Sequence, residues 1–398
     1  MIDRPHGQDA HATLEVEVIS LSKRFDVIVL GVGAMGASAC YHLAARGAAV
    51  LGLEQFDIPN DQGSAHGQSR AFRMCYFEHP DYVPLLRRSL ELWHELQDIT
   101  ERKLLHETGG IWFGPADCEL VGGSRDAAVT HDLAHEWIEH DELAKRYPQF
   151  TVPDEYVGFY EPQAGVLLPE KIISACAEYA VKRGAMLRAM EPVVKWRANA
   201  RGVNVQTRQG TYEAEHLIVC AGPWSGRILD EIGVKLSVTR QIAIWVQPPG
   251  AELFALGALP IWAIDRPAGG MYYGFPILDD TPGFKLSVHC PGPSTDPDTI
   301  DRVAQGDEMN ELREMLGRFI PGADGPLLEA SVCMYTNTPD AHFIVDHHPQ
   351  HANVTIATGF SGHGFKFASV IGEALADLAL DGRTDLPIEF LGVRRFAD

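Results

Sequence analysis

The segment that most constrains this chain is residues 26–54, where an apolar run, a glycine string, a small-residue helix and a second apolar run follow one another. Asp26-Val27-Ile28-Val29-Leu30 reads as a strand buried on both faces of a parallel sheet. Gly31-Val32-Gly33-Ala34-Met35-Gly36 follows, then a helix opened by Ala37, Ser38 and Ala39 and ended by Gly47. Ala49-Val50-Leu51-Gly52-Leu53 forms the next strand and finishes at Glu54. In this G-x-G-x-x-G string Gly31 permits the tight turn and Gly33 lets backbone N–H groups approach a pyrophosphate. Gly36 lets the helix pack on the strand. Glu54, about 20 residues on, is placed to accept ribose hydroxyls and to disfavour a 2′-phosphate. The unit predicts a Rossmann-like dinucleotide site, and it does not choose FAD over NAD.

The rest of the chain sets the scale. Its 398 residues exceed one simple core and predict two domains or interleaved lobes of mixed α/β structure, large enough to enclose a cofactor. A net charge of −21 argues against nucleic acid, whose backbone demands clustered Lys and Arg. Basic residues beside glycine motifs carry extra weight in such an acidic protein, because they must build a local positive pocket against its field. Seven scattered cysteines with no C-x-x-C pair suit a reducing compartment. No run approaches the roughly 18–20 apolar residues of a membrane span, and Met1–Lys23 has no apolar signal core. The C-terminal Arg394–Asp398 is not a peroxisomal signal. The expectation is a cytoplasmic protein without membrane or nucleic-acid partners.

Along the chain, a polar loop spans about 56–69 and an amphipathic helix about 83–97. A strand-like 109–114 precedes a polar helical stretch to about Arg146. Helix 169–184 and a hairpin at 203–213 feed the buried strand His216–Cys220. From about Val238 to Ala330 the texture turns to strands with Pro and Gly, broken by a helix near 308–318. Strand 353–358, a turn at 359–364 and helix 365–380 then restore the αβ pattern. In that turn Gly359, Gly362 and Gly364 leave N–H groups at a helix N-terminus, a ready place for negative charge. Lys366, between Phe365 and Phe367, reads as a cation held for an anion rather than a solvated surface lysine. Phe284-Lys285-Leu286-Ser287-Val288-His289 alternates as a strand, with Lys285, Ser287 and His289 on one face. Arg70 and Arg73 would share a face on a helix, but the glycine-containing run before them predicts a loop. His66 has no second ligand at usable spacing, so no metal site is expected.

Four stretches carry a family likeness: 63–73 (Gly-Ser-Ala-His-Gly-Gln-Ser-Arg-Ala-Phe-Arg), 272–276 with Lys285, 332–336 (Val-Cys-Met-Tyr-Thr), and 359–367 (Gly-Phe-Ser-Gly-His-Gly-Phe-Lys-Phe). With them the chain, from about Phe25 to its end, resembles the monomeric sarcosine oxidase and N-methyl-L-tryptophan oxidase family of D-amino-acid-oxidase-like flavoproteins. The resemblance implies a Rossmann-like FAD-binding domain interleaved with a β-sheet-rich substrate domain. The implied division is 24–105, 157–236 and 330–398 for FAD and 106–156 and 237–329 for substrate, with 1–23 as an extension. It implies a monomeric oxidase that removes a hydride from a secondary amino acid, sarcosine-like or cyclic, and passes the electrons to O2. The products are hydrogen peroxide and, from N-methyl substrates, formaldehyde.

The resemblance also assigns residues. Cys333, which its surroundings alone would leave as a small buried hydrophobe, is implied to join the 8α carbon of the flavin by a thioether. His66 and Arg70 are implied to contact the flavin, and Gly362, His363 and Gly364 to bring the helix N-terminus to its N1–C2 edge. Arg73 and Lys366 are implied to grip the substrate carboxylate, with Tyr335 beside them. Tyr273 and His289 line the amine side, His289 with a possible part in proton transfer. Lys285 stands over the opposite flavin face, where its charge stabilises superoxide. Two departures bear on the substrate. Met74-Cys75-Tyr76-Phe77-Glu78 replaces the family's usual His-Ala-Tyr-Gly-Glu in a lid, and His66-Gly67-Gln68-Ser69 replaces an acid and a threonine before Arg70. An NAD-dependent dehydrogenase would share the glycine string but has no use for Cys333 or Lys285. A noncovalent flavin dehydrogenase would need an exposed acceptor surface, and a non-catalytic paralogue would be expected to lose Arg73, Lys285 or Lys366.

Overall fold

A computed structural model describes residues 24–397; the Met1–Lys23 extension lies outside the described residues. Two large sheets dominate. In the first, Arg24–Leu30 lies between Val50–Leu53 and Thr211–Val219, parallel to both, and Val50–Leu53 pairs in parallel with Met186–Arg188. Thr211–Val219 also pairs in parallel with His351–Thr358, so the C-terminal strand returns to the sheet that the N-terminal strand began. Helix Ala34–Ala45 packs against both Pro169–Lys182 and Ala368–Asp381 over this sheet. The first of them is buried along nearly its whole length, which its small residues allow.

The second sheet runs in the order Leu327–Asn337, Ser237–Val246, Phe284–His289, Met271–Phe275, Ile261–Asp265, Gly110–Pro115, Tyr156–Glu161, Glu136–Ile138. Its register places Trp245 opposite Lys285 and Lys285 opposite Phe275, with Tyr273 opposite Ser287 and Met271 opposite His289. Gln241 stands opposite Cys333. Because side chains alternate across a strand, these residues share one face, and Ile244, Val246, Phe284 and Leu286 share the other. That other face is sealed by helix Asn310–Phe319 through Leu312, Met315, Leu316 and Phe319. One face of the sheet is thus committed to core and the other is left for chemistry.

The elements read from sequence are present with shifted ends: Tyr82–Thr100, Pro169–Lys182, Asn310–Phe319, and a hairpin of Gly202–Thr207 with Thr211–Val219, whose second strand is continuous with the buried run. The stretch expected to be helical to Arg146 is instead two short helices, Ser124–Thr130 and His140–Arg146, around the strand Glu136–Ile138. Arg70, expected in a loop, opens the short strand Arg70–Phe72, which pairs with Gly165–Leu167. Among the described residues no helix is long and apolar enough to cross a membrane.

Candidate active site

A cavity of about 580 Å³ runs between the sheets. Its first end is the glycine turn. Gly31 has φ +86°, and a Cβ there would lie 2.3 Å from the Cys220 carbonyl oxygen, so only glycine fits. A Cβ on Gly36 would lie 1.8 Å from Gly31 O; Gly36 does not line the cavity and serves packing alone. At Gly33 nothing lies within 4 Å of that position, which leaves open space at the start of the helix. Glu54 is buried, and its carboxylate accepts from Val32 N at 2.9 Å and Phe56 N at 3.1 Å. Burial pushes its carboxyl up, opposed by those N–H donors.

In the middle, the segment 63–70 meets the second sheet. Arg70 donates to Ser69 O at 2.8 Å and Ser64 O at 2.9 Å, and its Nη2 stands 3.9 Å from Cys333 Sγ. Lys285 is buried and donates to the carbonyls of Gly67 and Ser69. Its Nζ lies 4.9 Å from the Trp245 ring centre and 5.2 Å from that of Phe275, its two cross-strand partners. Burial, then Arg70, drives the ammonium well below the ordinary lysine range, although carbonyls and ring faces favour the charged form. The loop that receives it is pinned by Glu170, whose Oε1 accepts from Gly67 N at 2.7 Å and Gln68 N at 3.0 Å. His66 is pushed down to about 4 by burial and then by Arg70 and Lys285, so its ring is neutral. Its buried Nε2 has no partner among the described residues.

The far end concentrates charge. Arg73 is buried with its guanidinium 4.4 Å from the Tyr76 ring and 4.3 Å from the Phe77 ring, and it is paired with Glu78. Arg73 Nη1 and Glu78 Oε2 have no partner among the described residues. Burial alone would raise the Glu78 carboxyl, but Arg73, His363 and Lys366 outweigh it and hold it at about 2. Lys366 is buried, donates to His363 O at 2.7 Å and lies 5.0 Å from the Tyr76 ring. Burial and the Arg73 charge bring it to about 7. His289 Nδ1 and Tyr335 OH are 3.2 Å apart, and burial pushes His289 to about 4. Tyr335 is pushed well above its usual range by burial, then by Tyr273 and Cys333.

Every residue expected to bind FAD, bind substrate or act in catalysis, except Gly36, lines this one cavity, whereas Gln68 and Met74–Glu78 do not. His363 is more constrained than expected, since Nδ1 meets the Tyr76 hydroxyl and Nε2 faces Ala341 O at 2.9 Å. Gly362 approaches Tyr335 so closely that a Cβ would lie 2.4 Å from the ring. The expected grip of Arg73 on a substrate carboxylate is, in this structure, a grip on Glu78. Phe77, in place of the family's usual glycine, stacks on the same guanidinium.

The profile of the FAD dependent oxidoreductase (DAO) family matches residues 26–378. The chain belongs to that family. This FAD-dependent oxidoreductase is 42% identical over 380 residues to a monomeric sarcosine oxidase of Streptomyces avermitilis, with 95% of this chain and 99% of the relative covered. It is 34% identical to N-methyl-L-tryptophan oxidase of Escherichia coli, with 94% and 100% covered. Among solved structures it is similar to NikD, an unusual amino acid oxidase essential for nikkomycin biosynthesis, in its open form. That match has a TM-score of 0.82 and 26% identity, covering 93% of this chain and 97% of the other.

The open space at Gly33, the unpartnered His66 Nε2 and the cavity running on to Cys333 fit the FAD that defines the family. Gly31→Ala is expected to yield protein that retains little FAD after gel filtration. The added methyl meets a backbone carbonyl and a positive φ, a strain of more than about 1 kcal/mol on the turn. Flavin absorbance relative to protein, compared with Gly47→Ala, checks it. Gly47 also has positive φ but nothing within 4 Å, so only backbone strain is shared.

Proposed function

We propose that this enzyme oxidises a small secondary amino acid, N-methylated or cyclic, using FAD held covalently through Cys333 and O2 as acceptor. The products are hydrogen peroxide and, from N-methyl substrates, formaldehyde and the free amino acid. The observation that carries the reading is the buried Arg73–Lys366 pair in the same cavity as a dinucleotide turn. Two cations so placed select an anionic group on a molecule small enough to be enclosed. The sarcosine and N-methyl-L-tryptophan oxidases to which the chain is similar supply the amine class.

Gly31, Gly33, Glu54, His66, Arg70 and the Gly362–Gly364 turn would hold FAD, and Cys333, its sulfur facing the fixed charge of Arg70, would bond to it. When bound, FAD accepts the electron pair withdrawn from the amine and delivers it to oxygen. The chain's own residues do the rest. Arg73 and Lys366 bind and orient the carboxylate once Glu78 has yielded Arg73. His289, neutral across the physiological range, and the hydroxyls of Tyr335 and Tyr273 would line the amine side. They favour the neutral amine, whose nitrogen lone pair assists loss of the hydride. Lys285, fixed by two carbonyls, presents positive charge where oxygen becomes an anion. The FAD-binding part is proposed as the discontinuous 24–105, 157–236 and 330–398. Strands Tyr156–Glu161 and Leu327–Asn337 lie in the second sheet, so this division interleaves segments rather than separating sheets. We place the enzyme in the cytoplasm as a monomer, on cysteines that form no disulfide among the described residues and on the naming of its relatives.

Acid precipitation should leave a yellow pellet, and the peptide containing Cys333 should carry the mass of FAD; Cys333→Ser should release flavin to the supernatant. Peroxide is expected with sarcosine, N-methyltryptophan or proline, with formaldehyde in equal amount from the first two. Reduction of an artificial dye without peroxide would refute the oxidase reading.

A further inference from the structure

The strand Tyr156–Glu161 ends on a carboxylate that the proposed mechanism does not use. Glu161 has 0% exposure and does not line the cavity. Both of its oxygens accept from Met74 N at 3.2 Å, and Oε2 also accepts from Cys75 N at 2.5 Å. Among the described residues no ion pair reaches it. Two backbone N–H groups can be satisfied by a neutral oxygen, and burying an unpaired carboxylate is costly. Burial pushes the Glu161 carboxyl up, while hydrogen bonds from Cys75 and Met74 and the Arg73 charge oppose it and favour the carboxylate.

The backbone that Glu161 holds follows directly on Arg73, whose charge favours the Glu161 carboxylate, and Glu161 in turn favours the charged form of Lys366. Arg73 directly precedes the turn that Glu161 holds, so the carboxylate fixes the backbone from which the guanidinium projects. The charges here divide evenly: buried Arg73 and Lys366 against half-buried Glu78 and buried Glu161. Glu78 contacts Arg73 side chain to side chain and is the anion that a ligand carboxylate replaces. Glu161 is tied to backbone and stays. We propose that Glu161 is a positioning residue for carboxylate recognition, fixing the turn that aims Arg73 and serving as the standing counter-charge of the Arg73–Lys366 pair.

The electrostatics around Lys366 agree. Burial and Arg73 push its ammonium down, to about 7, while Glu78 and Glu161 oppose them. The other groups that face it are His363, through its carbonyl and ring, His289, and the Tyr76 ring. A ligand carboxylate binds best when Lys366 is charged, so affinity falls as pH rises through its titration. Removing the Glu161 charge moves that fall to lower pH.

The inference rests on Arg73 and Lys366 being the carboxylate site, and the test separates the two. Acetate is titrated into holoenzyme and followed by flavin absorbance across the neutral range, for wild type, Glu161→Gln and Arg73→Met. Wild-type affinity should fall above pH about 7. Glu161→Gln should show the fall about one pH unit lower, with binding at neutral pH weaker by about tenfold. Coincident profiles for Glu161→Gln and wild type, with binding lost in Arg73→Met, would overturn the Glu161 role alone. Undiminished binding in Arg73→Met would overturn the carboxylate site itself. If Glu161→Gln yields no folded holoenzyme, Glu161→Asp keeps the charge but withdraws it from the turn. It should bind acetate more weakly with the wild-type midpoint, and unchanged affinity would overturn the proposal.

Discussion

Replacing Lys285 by methionine is expected to slow the reaction of the substrate-reduced enzyme with oxygen by about 10²–10³-fold, the usual scale for removing one preorganised electrostatic group. Reduction by substrate should change far less, because Lys285 lies beside the Gly67–Ser69 loop and not in the Arg73–Lys366 cluster. Methionine suits the test. It matches the aliphatic stem, fits between the Trp245 and Phe275 rings and leaves the two carbonyls as the only polar loss. The sign with pH follows from the lowered ammonium. Lys285 is charged below its titration and neutral above it, so the wild-type oxygen reaction slows as pH rises, at lower pH than a free lysine would give. Stopped-flow mixing of anaerobically reduced enzyme with oxygen should show that pH dependence in wild type and its absence in Lys285→Met. Equal oxygen rates for the two proteins would end the assignment.

Much of this site was legible in the sequence because its geometry is periodic. Lys285, Ser287 and His289 alternate along one strand, and the pleat alone puts them on one face. The glycine turn was legible for a similar reason, since Gly31, Gly33 and Gly36 are each demanded by a local contact or opening. Cys333 shows the limit. Its environment resembles that of an ordinary part-buried thiol, and only its motif set it apart from six others. Glu161 and Glu170 were not legible at all, because each acts on backbone from 86 or more residues away. No local pattern records which N–H groups a carboxylate will meet after folding. The helical reading of the stretch before Arg146 failed because its polar residues hide a three-residue edge strand, Glu136–Ile138, that exists only by pairing with Tyr156–Glu161.

The Arg73–Glu78 pair yields two substitutions of opposite sign. Arg73→Met should reduce kcat/KM for an amino-acid substrate by about 10²–10³-fold, since truncating one partner of a buried, hydrogen-bonded charge pair costs roughly 2–5 kcal/mol. It also leaves Glu78 without its ion-pair partner and the largest of the charges that hold its carboxyl at about 2, so the variant should melt at lower temperature. Glu78→Gln should do the reverse to binding. A substrate carboxylate must displace Glu78 from Arg73, and a neutral amide competes less than an anion, so acetate should bind several-fold more tightly. Free Glu78→Gln should nonetheless be less stable than wild type, because Arg73 is left buried between the Tyr76 and Phe77 rings without its counter-ion. Bound acetate should restore more of the melting temperature in this variant than in wild type, as mass action on a tighter complex requires. Thermal melts of the three proteins with and without acetate measure both effects together. If Glu78→Gln binds acetate no better than wild type, Glu78 is a structural partner of Arg73 and not the occupant that substrate displaces.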